Sequence, residues 1–263
     1  ESAFEYCSGL ESIKVEENNK VYDSRENCNA IIETSSNTLI AGCKNTKIPS
    51  GVTEIGWYAF GGCSGLTSIT IPDSVTEIGG YAFGGCSGLT SITIPDSVTE
   101  IGQCAFSGCS GLTSITIPDS VTEIGEQAFN GCSGLTSITI PDSVTKIGES
   151  AFEGCANLTS ITWKGNIYTT VNDFMAAYNS RIVTIVYDGT NSDEIENTGG
   201  KVNVIVKDGV TEIGWYAFYG CSGLTSITIP DSVSYIGESA FEGCANLTSI
   251  TWKGNIYTTV NDF

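Results

Sequence analysis

Residues 71–93 read IPDSVTEIGGYAFGGCSGLTSIT, residues 94–116 read IPDSVTEIGQCAFSGCSGLTSIT, and residues 117–139 read IPDSVTEIGEQAFNGCSGLTSIT. Laid over one another, the three lines define a period of 23 residues. A fixed period governs the architecture before any local propensity does. The phenylalanine of each Ala-Phe pair carries the register outward through Phe60, Phe83, Phe106, Phe129 and Phe152, and the cysteine behind it through Cys63, Cys86, Cys109, Cys132 and Cys155. The pattern returns at Phe218 and Phe241 with Cys221 and Cys244, and Phe4 with Cys7 places the first residues inside a repeat.

Within one coil, Leu66-Thr67-Ser68-Ile69-Thr70-Ile71 ends in alternating polar and apolar residues, the period of a strand with one buried face. Ile69 and Ile71 are expected to point inward, Ser68 and Thr70 outward. Pro72 lacks a backbone donor and stops the strand. Asp73-Ser74 reads as a turn, Val75 and Ile78 as a second short inward-facing segment, and Ala82-Phe83 as a buried pair on a helical turn. No coil can bury this apolar face alone, so the coils must stack. The predicted fold class is therefore a repeat solenoid: a leucine-rich-repeat-type, right-handed β-solenoid or horseshoe of 23-residue coils with a parallel sheet and short helical or irregular turns. Length over period gives about eleven coils.

The sequence I-P-x-S-V-T-x-I-G-x-x-A-F-x-G-C-x-x-L-T-S-I resembles the BspA-like leucine-rich repeats of bacterial surface antigens. The stretch from Asn29 to Glu33 and on to Asn37–Cys43 is similar to the irregular coils such proteins carry. The resemblance implies a curved solenoid, secreted or held at the cell surface, that acts in adhesion or protein binding. It implies no reaction and carries no catalytic residue to transfer.

Residues 1–263 are expected to form a single solenoid, with regular coils over 48–163 and 210–252 and irregular coils over 8–47 and 164–209. In the first irregular block Cys43 aligns with Leu66 and reads as its core substitute, with short strands at 31–33 and 39–41 around Ser35-Ser36-Asn37. In the second, Trp163 takes an inward position, Thr170–Asn179 reads as a helix with Phe174 and Tyr178 on one face, and Arg181–Tyr187 and Lys201–Lys207 alternate like strands. The polar stretch 188–200 between them is expected to protrude. Residues 148–174 and 237–263 are identical, which implies internal duplication. The chain starts and stops inside repeats and is expected to be a piece of a longer protein.

The net charge is −19, and the block from Ile48 to Thr145 has no Lys or Arg. Phosphate neutralisation needs cations, so nucleic acid and anionic membrane surfaces are poor partners. No run approaches the ~20 apolar residues of a membrane span. There is no histidine, which removes Ser-His-Asp and Cys-His catalysis and the commonest metal ligand.

Three stacked columns remain as candidates for chemistry. The cysteines would stack at about 4.8 Å, with Cβ atoms too far apart for the ~3.8 Å of a disulfide, so they read as buried thiols. Cys104 lies off that column and is expected to be the exposed thiol. The aspartates Asp73, Asp96, Asp119 and Asp142 and the glutamates Glu54, Glu77, Glu100 and Glu123 would stack with about 0.8 kcal/mol of repulsion per neighbouring pair. A flat column offers too few converging oxygens for calcium. Lys146 ends the glutamate column. The hydroxyl stripe is the candidate for binding, through Ser91, Thr93, Ser114, Thr116, Ser137 and Thr139.

No catalytic, cofactor or metal site is predicted. The expected function is a non-catalytic, cell-surface or secreted protein-interaction or adhesion module for a protein or glycan, acting as a monomer without inserting in a membrane. The alternative is a spacer array that holds other domains off the surface. A specific address requires non-uniform residues, which points to the irregular block: Asn203 replaces the serine and Ile205 the threonine of the outward row, beside the polar stretch with Asp193 and Glu194. The aromatics Trp57, Tyr58, Tyr81, Trp215 and Tyr216 read as cover for the core edge.

Overall fold

The computed structural model describes residues 4–180, 182–190 and 201–258. The chain forms two compact units, Glu1–Phe174 and Met175–Phe263.

In the first unit every regular coil has three hydrogen-bonded walls. The first wall is the expected one. Ser68–Thr70 pairs in parallel with Ser91–Thr93 and that strand with Ser114–Thr116, serine on serine, isoleucine on isoleucine and threonine on threonine. Ser137–Ile140 pairs in the same way with Ser160–Trp163. The second wall is a parallel ladder of two-residue strands, Glu54–Ile55, Glu77–Ile78, Glu100–Ile101, Glu123–Ile124 and Lys146–Ile147. The sequence marks these residues as an inward-facing segment; stacking makes them a sheet. The Ser74 hydroxyl donates to the Val52 carbonyl at 2.6 Å and Ser120 to Val98 at 2.7 Å, so the serine of each Asp-Ser turn also ties one coil to the one before it.

The third wall differs from expectation. Ala82-Phe83 lies not on a helix but on a run of tight turns, with Ala82 N–H donating to Gly79 and Gly84 N–H to Tyr81. The donors of Tyr81, Phe83 and Gly85 instead reach Gln103, Ala105 and Ser107 of the next coil at 2.6–2.9 Å. A helix cannot continue because two residues per coil are left-handed, Tyr81 (φ 54°) and Gly85 (φ 74°), and glycine meets the second at no steric cost.

The core is a set of columns. Leu66, Leu89, Leu112 and Leu135 are fully buried. The rings of Phe60, Phe83, Phe106, Phe129 and Phe152 stack with centroids 5.1–5.6 Å apart and planes within 5°. Spacing is set by the hydrogen-bonded walls, so each ring lies over its neighbour.

Both ends of this stack change pairing mode. At the start, Ala30–Glu33 and Thr38–Gly42 form the expected antiparallel pair, and Thr38–Gly42 then pairs in parallel with Glu54–Ile55. Cys43 is fully buried, as a leucine substitute should be. At the far end Ser160–Trp163 turns back on Asn166–Tyr168 in an antiparallel hairpin, so the parallel ladder stops. The helix Val171–Ser180 follows, with Thr170 Oγ accepting from the Asp173 N–H at 3.0 Å, an N-cap. Phe174 packs edge-on against Phe152, Tyr168 and Trp163 at 5.7–6.0 Å and covers the end of the phenylalanine column. Trp163 and Tyr178 are buried.

The second unit repeats the scheme. Ile182–Tyr187, Lys201–Val206, Leu224–Ile229 and Ser249–Trp252 pair in parallel, and Asn255–Tyr257 closes the sheet antiparallel. Glu212–Ile213 and Tyr235–Ile236 form the second ladder. Val202, Val204, Phe218, Leu224 and Ile227 lie in its core. Because 148–174 and 237–263 are identical, each unit carries the same strand-and-hairpin sequence, Ser160–Tyr168 in one and Ser249–Tyr257 in the other.

Candidate interaction surface

The side chains available to a partner are those the walls turn outward. In the first unit Ser91, Thr93, Ser114, Thr116, Ser137 and Thr139 are all exposed, and strand register aligns Ser91 with Ser114 and Thr93 with Thr116. The neighbouring threonine row is tied down: Thr90 Oγ donates to the Thr67 carbonyl and Thr113 Oγ to Thr90, both at 3.2 Å. The outer sheet face is thus a set of parallel hydroxyl rows.

In the second unit Asn203 lies beside Ser226 on the outward face, and its Oδ1 accepts from Ser226 Oγ at 2.7 Å and from Thr225 Oγ at 3.0 Å. The residue expected to offer distinct chemistry therefore directs its acceptor at its own neighbours. In the adjacent row Val186 pairs with Ile205 and Ile205 with Thr228, and Val186 and Ile205 are exposed. Asp193 and Glu194 lie outside the described residues.

The glutamates stack as expected, Glu54 on Glu77 and Glu100 on Glu123. Burial, then Glu123 and Glu77, pushes the Glu100 carboxyl above its ordinary range. Lys146 Nζ meets Glu123 at 2.6 Å and closes the column.

Cys104 is not the exposed cysteine: it is 1% exposed. It is smaller than its column neighbours Tyr81 and Gln127, and they flank it from both sides, with its Sγ 3.5 Å from Gln127 Oε1. The Tyr81 phenol is pushed up to about 12, first by its hydrogen bond with Cys104. Cys7 is the exposed cysteine. Cys63, Cys86, Cys109, Cys132 and Cys155 are buried as expected. From Cys86 onward each Sγ donates to the phenylalanine carbonyl of the preceding coil, at 3.1–3.2 Å. Burial pushes the Cys132 thiol up to about 12 and Cys155 up to about 11, the opposite of what a nucleophilic thiolate needs.

Trp215 and Tyr216, read as edge cover, instead stand out into solvent, and so do Tyr219 and Tyr235, which that reading did not include. Trp215 is 65% exposed, Tyr216 56%, Tyr219 51% and Tyr235 47%. Trp215 Nε1 donates to the Tyr235 hydroxyl at 2.7 Å, and the rings of Tyr216 and Tyr219 meet edge-on at 5.5 Å. The signal was available in the sequence: Tyr235 falls in the glutamate column and Tyr219 where other coils carry Gly84, Ser107 and Asn130.

A groove of about 410 Å³ in the first unit is bounded by Phe152, Leu158, Thr169 and Asn172. Its cysteine, Cys155, is the protonated thiol bonded to Phe129. Among the described residues no group of three His, Cys, Asp or Glu side chains could hold a metal ion, and no helix is long and apolar enough to cross a membrane.

Stacked coils with parallel ladders and leucine and phenylalanine columns define a leucine-rich repeat solenoid. A family model described as BspA type leucine rich repeat region, in six copies, matches residues 31–116, 76–199 and 196–262. The chain belongs to the BspA-type leucine-rich repeat family. It is similar to a solved leucine-rich repeat protein from Bacteroides ovatus, with 30% identity over 91% of this chain and 70% of that one and a TM-score of 0.45. A leucine rich cell surface protein from Faecalibacterium prausnitzii shares 27% identity over 96% of this chain and 76% of its own, with a TM-score of 0.44. A leucine-rich repeat protein from Eubacterium ventriosum shares 23% identity over 97% of this chain and 59% of its own; its TM-score of 0.55 reflects the common fold. No curated protein matches the chain.

Proposed function

We propose that this chain is a non-catalytic interaction module, displayed at a cell surface or secreted, that binds a protein or glycan partner through its outward sheet face. The observation that carries this reading is the set of exposed hydroxyl rows in strand register, a repetitive hydrogen-bonding surface. Membership of the BspA-type family supports it. Ser91, Thr93, Ser114, Thr116, Ser137 and Thr139 form the repetitive part of the contact, where many weak bonds add through avidity. Asn203 and the irregular block around it, including Asp193 and Glu194, form the part that distinguishes one partner from another.

The near-identity of the regular coils favours a second reading, a spacer that holds other domains away from a surface. A screen of the chain against immobilised matrix proteins and glycans separates the two. Saturable binding that weakens when residues 164–209 are replaced by regular coils supports the interaction module. Absence of binding across the screen supports the spacer.

A further inference from the structure

Between residues 210 and 252 the chain contains no Lys or Arg, while Glu212, Asp231, Glu238 and Glu242 are all present. The same segment carries the exposed cluster of Trp215, Tyr216, Tyr219 and Tyr235. The regular coils place no aromatic at the equivalents of Tyr219 and Tyr235, and leave glycine, serine, asparagine, glutamate or lysine there. Exposed tryptophan and tyrosine in one group are what interface centres are enriched in, and the hydroxyl rows elsewhere offer nothing comparable.

The cluster is held in place. The Trp215 indole is fixed by its bond to the Tyr235 hydroxyl at 2.7 Å, and it sits against Gly237, where an added Cβ would meet Trp215 Cδ1 at 2.5 Å. Tyr235 is the strand partner of Glu212. Ser239 Oγ bonds a carboxylate oxygen of Glu242, and the Tyr216 N–H donates to the Glu238 carbonyl, so the carboxylate-bearing residues belong to the same coil pair as the rings. Aromatic faces carry negative potential and attract cations, guanidinium above all, since it is planar and weakly hydrated. Carboxylates beside them add to that attraction and repel polyanions.

We propose that this cluster is the docking site for an arginine-bearing basic segment of a partner protein. The assignment deepens the interaction reading above and rests on it. Charge complementarity selects the occupant: rings and carboxylates in a segment without a cation match a guanidinium, which both stacks and pairs.

The test uses the whole chain, with nona-arginine, nona-lysine, nona-citrulline and cellohexaose as probes, followed by calorimetry at about 0.15 M salt. Trp215→Gln and Tyr219→Ser install the residues that the regular coils carry as Gln103 and Ser107, so the fold has precedent for both and the net charge is unchanged. Nona-arginine is expected to bind the intact chain at least ~10-fold more tightly than the neutral citrulline peptide, and the double variant to lose at least ~10-fold with an unchanged melting curve. Trp215→Phe should stay within ~3-fold. Equal binding of nona-arginine by the double variant overturns the proposal, since acidity alone would then account for it. So does Trp215-dependent binding of cellohexaose without nona-arginine binding, which would make the cluster a sugar platform. A chain that binds an immobilised matrix protein undiminished by the double variant sinks this site and leaves the interaction reading standing; one that binds none in the screen sinks that reading as well.

Discussion

Cys109 Sγ donates to the carbonyl of Phe83, 3.2 Å away in the preceding coil. The same bond recurs from Cys86 to Phe60, Cys132 to Phe106 and Cys155 to Phe129. A small side chain thus fills the core column and satisfies a buried carbonyl.

Native chain treated with iodoacetamide at pH 8 should be labelled at Cys7 and spared at Cys86, Cys109, Cys132 and Cys155; in denaturant all eleven cysteines should react. Mass spectrometry of peptides cleaved after glutamate, which fall between successive coils at Glu54, Glu77, Glu100 and Glu123, reads the outcome. Native labelling of Cys109 as fast as Cys7 would reject the packing.

Those thiols also make stability depend on alkaline pH. Their folded values lie above the unfolded ~8.5, at about 12 for Cys132 and about 11 for Cys155. The unfolded chain then releases protons first. The contribution is fully present below about pH 8.5 and is lost as pH rises toward 11–12, by up to about 1.4 kcal/mol per pH unit for each thiol. Cys132→Ala with Cys155→Ala should flatten that part of a melting-temperature profile between pH 8 and 10. A profile as steep as the parent's would refute the assignment.

Phe106 lies between Phe83 and Phe129 at 5.4 and 5.5 Å. Phe106→Ala should cost about 3–5 kcal/mol, and in a linear array the loss should stay near its coil. Hydrogen exchange should rise for the coils bearing Phe83, Phe106 and Phe129 and hardly at all near Ala30–Glu33. Uniform acceleration across the first unit would contradict coil-by-coil stability.

Lys146→Glu would replace the ion pair with Glu123 by a like charge at the end of the glutamate ladder. The pair is partly exposed, so the cost should be no more than about 1 kcal/mol at pH 7. Glu100 already has a raised value, so its share of stability is present below the unfolded ~4.3 and is lost as pH rises through the folded value. The variant's deficit should therefore shrink near pH 4. Melting curves at the two pH values decide this, and a deficit that grows on acidification would count against it.

Asn203→Ala removes the acceptor shared by Thr225 and Ser226 and should cost about 1–2 kcal/mol in the second unit. Asn203→Ser restores the residue of the regular row and should cost less. Hydrogen exchange over Lys201–Val206 distinguishes them; equal effects would mean that Oδ1 does not organise this row.

Much of the chain is legible in the sequence alone. Leu66, Phe83, Cys86 and Ile78 are inward because a 23-residue period repeats them, and a buried face forbids slippage. The same alternation placed Ser91 and Thr93 outside, and the four-residue spacing of Phe174 and Tyr178 marked the helix. Cys104 was misplaced because its environment comes from Tyr81 and Gln127, in the coils before and after it, and a linear pattern does not show how far those side chains overhang a smaller one.

The period by itself determined which residues stack, since equivalent positions in identical coils must meet at the same height. Only the tertiary structure decided what they do on meeting. The Glu77–Ile78 segments become a sheet because each coil offers the next a donor and an acceptor. Thiols find carbonyls 26 residues back, and Trp215 finds Tyr235 20 residues on, in the next coil. Such bonds form between groups of different coils, and their geometry depends on the axial spacing and rotation from coil to coil, which backbone hydrogen bonding sets and residue order does not.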